Sequence, residues 1–277
     1  MSRSVKDIID MKRNGKKISV LTSYDYALAS LCDKAGVDIL LVGDSVGMVV
    51  LGYENTIPVT MEQMEIFVGA VSRAKQNALV VGDLPFMSYQ ASISDAISNS
   101  GRLIKAGADT VKLEGGSAMA DTISAIVETG IPVMGHIGFQ PQTTALSQGY
   151  KVQGRTFEAA KQLIEDAKAL EQAGAFSIAL EMISHEVSKI ISESIDIPTI
   201  GIGSGLHCDG QVLVVHDILG LYEKLKPKFV KQYLSLSNDV VQAVSKFKSD
   251  VESGSFPAEE NWFSMEKEEY EKLKKAF

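Results

Sequence analysis

The chain is predicted to fold as an α/β protein, a closed (β/α)8 barrel of the TIM type, and three observations predict it. Short apolar runs rich in Val, Ile and Leu, too short for helices, recur with helix-like segments between them, as buried parallel strands do. There are eight of them, near residues 18–25, 37–44, 78–83, 110–114, 132–137, 176–182, 198–202 and 212–216. Asp44, Asp83, Glu114, His136 and Glu181 each stand at or just past the end of such a run, and barrels of this kind gather their active-site groups at the C-terminal strand ends.

Taken in order, the chain opens on MSRSVKDIIDMKRNGKK, which Asp7, Asp10 and several Lys break before any long apolar stretch. It reads as a helical segment, neither a signal peptide nor a membrane span, so a cytoplasmic protein is expected. The first strands are ISVLTSYD and VDILLVGD. A long connection at 46–60 follows, carrying Gly47, Gly52 and Pro58. After the third strand, ALVVGD, the segment SDAISNSGRLIKAGA repeats Ala96, Ile97, Leu103 and Ile104 near helical spacing, with Gly107 placed to stop the helix. The fourth and fifth strands, TVKLE and PVMGHI, lead to a second long connection at 140–155 with Pro141 and Gly149. Connections of this length on the catalytic face are either lids or plain surface excursions. FSIALEM is the sixth strand, and the seventh ends in GIGSG, a weak phosphate-loop pattern that suits close packing or passage of a ligand better. Beyond the eighth strand and Gly220 the chain continues as a helical extension, ending in EKEEYEKLKKAF, whose charges suit a solvated helix or a partner contact.

One domain spanning residues 1–277 is expected, because 45% hydrophobic residues can bury a substantial core and no linker interrupts the chain. With 27 Lys and Arg against 35 Asp and Glu, the net charge of −8 argues against a nucleic-acid partner. Cys32 and Cys208 are far apart with no CxxC or Cys/His cluster, and read as small buried apolar residues.

Asp44, Asp83 and Glu114 offer oxygen donors with no Cys nearby, which favours a hard divalent ion, Mg2+ before Zn2+. Lys112 and Glu114, two apart on one strand, face the same side, the barrel interior. A cation there calls for an anion: Glu114 itself, or a substrate carboxylate beside the metal, with Ser45 supplying a hydroxyl. Glu181 closes an apolar strand and is placed to act as a general base. His136, one strand away, either orients that base or is a satisfied core histidine. His185, His207 and His216 are weaker candidates.

These residues sit in motifs that resemble one family, the 3-methyl-2-oxobutanoate (ketopantoate) hydroxymethyltransferases, from about Ile18 to Phe263. TSYDY at 22–26 resembles the family's TAYDY, and LVGDSVGMVVLG at 41–52 its LVGDSLGMV. DLPFMSY (83–89), VKLEGG (111–116), GHIG (135–138), VQGR (152–155) and DGQVLVVHDILG (209–220) also match. Ser23 replaces a usual Ala, GFQPQ at 138–142 a common GLTPQ, and IGSG an IGAG. The resemblance implies a barrel of the phosphoenolpyruvate/pyruvate type, assembled as a homodecamer. It implies Mg2+-dependent transfer of a hydroxymethyl group from 5,10-methylenetetrahydrofolate to 2-oxoisovalerate through an enolate, giving ketopantoate for pantothenate and coenzyme A synthesis. Carried over by position, Asp44 and Asp83 are direct metal ligands and Glu114 a ligand through water. Ser45 and Lys112 contact the substrate carboxylate, Glu181 accepts the proton and His136 supports it. The bare site fits a second enzyme class almost equally, a Mg2+-dependent lyase or mutase acting through the same enolate, whereas a non-catalytic 2-oxo acid binding barrel would require loss of the base or of the metal carboxylates, and both are present.

Overall fold

The structure, a computed structural model, describes residues 2–143, 151–224 and 226–277. Eight parallel strands run in chain order and close, β8 pairing back onto β1: β1 (Ile18–Thr22), β2 (Ile39–Val42), β3 (Leu79–Asp83), β4 (Thr110–Lys112), β5 (Val133–Gly138), β6 (Ser177–Glu181), β7 (Thr199–Ile202) and β8 (Gly210–Leu213). Every expected strand is present. The eighth begins at Gly210 and not Val212, because a Cβ at 210 would lie 2.5 Å from the Ile18 backbone oxygen and only glycine lets the two strands approach.

Around the barrel run α1 (Val5–Arg13), α2 (Tyr26–Lys34), α3 (Val46–Val49), α4 (Met61–Ala74), α5 (Ile93–Ala106), α6 (Ala120–Glu128), α7 (Phe157–Gln172), α8 (His185–Ser194) and α9 (Val215–Leu219). The longer helices start at polar caps. Asp25, Thr60, Ser92 and Thr156 each accept a backbone N–H three residues on, satisfying a donor the helix leaves open. Gly107 ends α5 in the left-handed region at φ 113°, as its placement predicts.

The apolar core has two parts. One lies between strands and helices and includes Leu40, Val42, Val80, Leu103, Leu180 and Leu170. The other fills the barrel with Ile18, Val20, Ile39, Leu41, Leu79, Val81 and Met134, and Ile8 of α1 closes it from below. Side chains alternate across a strand, so the inward parity of Leu79 and Val81 carries to Asp83, and that of Met134 to His136.

No helix is described between β7 and β8. Residues 203–209 make the turn alone, with Gly203 at φ +65° and Gly205 at φ +83°. A Cβ at Gly203 would sit 2.8 Å from the Phe229 ring, and one at Gly205 2.5 Å from His185 Cβ, so this stretch is built for close packing. The C-terminal extension forms α10 (Leu236–Ser253) and α11 (Lys267–Ala276), neither of which buries a residue. Both cysteines are free and buried. No helix among the described residues is long and apolar enough to cross a membrane.

Candidate active site

The C-terminal rim brings Asp44, Ser45, Asp83, Lys112, Glu114, His136 and Glu181 onto the walls of one cavity of about 170 Å³. Asp44 and Glu114 lie two residues past β2 and β4, while Asp83 and Glu181 are the last residues of β3 and β6. His136 is not at a strand end. It lies inside β5, where its inward parity takes it down among the carboxylates.

Lys112 pairs with Asp83 and not with Glu114 in this structure. The register sets Lys112 opposite Asp83 on the neighbouring strand, and its Nζ lies 2.7 and 2.8 Å from the two Asp83 carboxylate oxygens. Burial alone would lower the Lys112 pKa, but Asp83, Glu114 and Asp44 together raise it, so the ammonium is held charged. Glu114, past the strand end, turns away and accepts the Gln142 backbone N–H on Oε2 at 3.1 Å.

Burial and the neighbouring Asp83 and Glu114 carboxylates push the Asp44 carboxyl up to about 8. Burial also raises Asp83, against the pull of Lys112. His136 bridges the site: Nδ1 lies 3.5 Å from Glu114 Oε1 and Nε2 3.3 Å from Glu181 Oε2, at ion-pair distance but without hydrogen-bond alignment. Burial and Lys112 oppose its charge, yet Glu114 and Glu181 prevail and raise it to about 9, so the imidazole is cationic at neutral pH. Glu181 is more open, with 18% of its side chain exposed, and His136 is its close partner.

Ser45 Oγ meets the Tyr24 hydroxyl at 2.8 Å, and burial drives that phenol's pKa up so that it stays protonated. Tyr24, Tyr89 and Gln142 were not singled out from sequence as site residues, although TSYDY, DLPFMSY and GFQPQ contain them. The 46–60 connection sits at the C-terminal rim of the barrel, where Met48, Val49 and Thr56 line the cavity. Of the 140–155 connection, Pro141 lines the cavity and Gln142 is buried, while Gly149 lies outside the described residues. His216 packs against Tyr24 with ring centroids 5.5 Å apart, and His185 stacks on His207 at 6.5 Å; none of the three lines the cavity. In GIGSG, Ser204 Oγ donates to the Leu180 carbonyl and accepts the Ile183 N–H, bracing the end of the strand that carries Glu181.

Among the described residues no group of three or more His, Cys, Asp or Glu side chains is gathered closely enough to hold a metal ion as it stands. Lys112 holds Asp83, and Gln142 holds one oxygen each of Asp44 and Glu114. The chemistry of the set nevertheless fits a hard cation. Five carboxylates, those of Asp44, Asp83, Glu114, Glu181 and Asp217, line the cavity with the basic side chains of Lys112 and His136, and Glu114 Oε1 is buried with no hydrogen-bond partner.

The sequence profile of ketopantoate hydroxymethyltransferase matches residues 2–259. The chain belongs to that family. A 3-methyl-2-oxobutanoate hydroxymethyltransferase of Nitrosopumilus maritimus is 72% identical, the match covering 99% of this chain and 98% of that one. The enzymes of the same name from Cenarchaeum symbiosum and Clostridium botulinum are 60% and 53% identical, covering 92% and 99% of this chain and 96% and 100% of theirs. In fold the hydroxymethyltransferase barrel is similar to a phosphonopyruvate hydrolase crystallised with oxalate and Mg2+, at TM-score 0.62 and 10% identity, covering 100% and 99% of the two chains. A 2,3-dimethylmalate lyase of the phosphoenolpyruvate mutase/isocitrate lyase superfamily superposes at TM-score 0.59 and 14% identity over 100% of both chains. The expected enzyme class and barrel fold are thus found.

Proposed function

We propose that the enzyme transfers a one-carbon unit from 5,10-methylenetetrahydrofolate to 2-oxoisovalerate, giving ketopantoate for pantothenate synthesis. The observation that carries the reading is the division of the cavity: Asp44, Asp83, Lys112 and Glu114 form a buried charged end, and Glu181 stands apart at the open side. Asp44, Asp83 and Glu114 would hold Mg2+, which when bound supplies Lewis-acid polarisation of a 2-oxo acid. Lys112 and Ser45 bind the substrate carboxylate, one by charge and the other by its hydroxyl. Glu181 takes the proton from C3, and cationic His136 beside it steadies the carboxylate's orientation.

The balance is simple. A C–C bond forms between C3 and the one-carbon unit, both C–N bonds that join this unit to the folate break, one water supplies the new hydroxyl, and the two folate nitrogens take up two protons, the one removed from C3 and the one left from that water. A second cavity of about 950 Å³ along the β7–β8 seam shares Glu181, Pro227 and Phe229 with the first, and offers the bulkier folate a place beside C3.

A cytoplasmic homodecamer completes the reading; Val240, Val244, Phe247 and Val251 form an exposed stripe on α10 available for subunit contact. The deciding experiment mixes protein, Mg2+, 2-oxoisovalerate and methylenetetrahydrofolate. Ketopantoate and tetrahydrofolate should appear in equal amounts and cease with EDTA. Consumption of the oxo acid without tetrahydrofolate would replace the transferase reading with a lyase one, and native mass measurement tests the decamer.

A further inference from the structure

Gln142 is completely buried at the catalytic rim, and the reaction described above gives it no task. Its Nε2 donates to Asp44 Oδ2 at 3.0 Å and to the Leu84 carbonyl at 2.9 Å. Its Oε1 accepts from the Tyr89 hydroxyl at 2.9 Å and from Gln90 Nε2 at 3.2 Å. A carboxylate and a carbonyl at one end, with an amide donor at the other, admit only one sense for the carboxamide. Its backbone N–H donates to Glu114 Oε2 at 3.1 Å.

One residue therefore grips two carboxylates in the same manner. On each, one oxygen is held by Gln142. The other accepts no hydrogen bond among the described residues, and at Glu114 that oxygen is buried too, with only the His136 Nδ1 near it at 3.5 Å, outside hydrogen-bond alignment. A neutral donor at this place restrains both groups without cancelling their charge, whereas Lys or Arg would supply the very charge that a cation brings.

We propose that Gln142 is a positioning residue, pinning one oxygen of Asp44 and one of Glu114 so that the remaining oxygen of each is left for a divalent cation. The proposal rests on the Mg2+ reading above. Gln142 acts through these carboxylates and not on the reacting carbon. Gln90, which reaches no carboxylate, acts one step further out by fixing the carboxamide.

The test is calorimetric titration of Mg2+ into the full chain without substrate. Gln142→Met keeps the side chain's length and the backbone N–H but removes the carboxamide. It should weaken Mg2+ binding roughly 10- to 100-fold, the usual effect of losing a partner of a metal ligand, and saturating Mg2+ should restore C3 proton exchange. A purely structural defect would not be rescued by the ion. Gln90→Ala should weaken binding roughly two- to fivefold, and should add nothing in the Gln142→Met background. Wild-type affinity in a folded Gln142→Met variant overturns the proposal and leaves the Mg2+ reading intact. An effect of Gln90→Ala undiminished in the Gln142→Met background overturns it as well. Should Gln142→Met not fold, unchanged affinity in Gln90→Ala overturns it alone. If the unaltered protein takes up no Mg2+, the metal reading falls first and this proposal with it.

Discussion

Replacing Lys112 by Met removes the ammonium that faces three buried carboxylates. Its side chain and that of Asp83 are 6% and 2% exposed, and its nearest contact is 2.7 Å. Charge centres about 3.5 Å apart at an effective dielectric of about 20 attract by about 5 kcal/mol. Part of this is offset because the ammonium no longer has to be desolvated, and removing one member of a buried pair costs about 3–5 kcal/mol in practice. Met fills similar space, so little cavity cost is added. A loss of about 3–4 kcal/mol at pH 8 follows, or roughly 6–8 °C in melting temperature for a chain of this size.

The sign of the pH effect also follows. Burial already raises Asp83 above its ordinary value, and without Lys112 it rises further. Between the unfolded and folded pKa the native state holds the extra proton, so stability falls as pH climbs through that window. The deficit should therefore be larger at pH 8 than at pH 5, and Asp83→Asn should recover most of it in the Lys112→Met background. Urea unfolding followed by circular dichroism, with EDTA and at fixed protein concentration, measures the stability of wild type, Lys112→Met and the double variant at both pH values. A Lys112→Met variant within about 1 kcal/mol of wild type at pH 8, or an equal deficit in the double variant, would refute the buried-pair reasoning.

Glu181→Gln should slow exchange of the C3 proton of 2-oxoisovalerate with deuterated water by roughly 100- to 10,000-fold while Mg2+ and substrate still bind; a wild-type exchange rate by proton NMR would exclude Glu181 as the base. Gly138→Ala should destabilise the fold by about 2–4 kcal/mol and depress activity, because φ is +98° and the new Cβ would lie 2.2 Å from the Glu181 backbone oxygen; unchanged melting and turnover would contradict this. Asp217, half-buried at the cavity wall, is raised by burial to about 6, so its ionisation above that pH weakens the native state. Asp217→Asn should add about 1 kcal/mol at pH 7.5, allowing for solvent screening, and little at pH 4, and a gain of equal size at both pH values would exclude titration as its cause.

The strands and the polar rim at their C-terminal ends were legible in the chain because both depend on local pattern. A buried parallel strand must be apolar over its length, and a polar residue survives only where the strand emerges. That logic located Asp44, Asp83, Glu114 and Glu181, and the side-chain period of two placed Lys112 inside the barrel. The motifs then pointed to the family. Partners were another matter. Whether Lys112 meets Glu114, two residues away, or Asp83, on another strand, depends on the register between β3 and β4, which residues far apart in sequence determine together. The reach of Gln142 into the site depends on how residues 139–143 turn over the rim after β5, and their sequence, with Gln142 flanked by Pro141, looks like any loop. The missing helix between β7 and β8 depends on glycines whose need appears only when Phe229 and His185 press against them. Periodicity is a property of one segment, whereas register, loop reversal and close approach are properties of two segments at once, and only the folded chain brings those together.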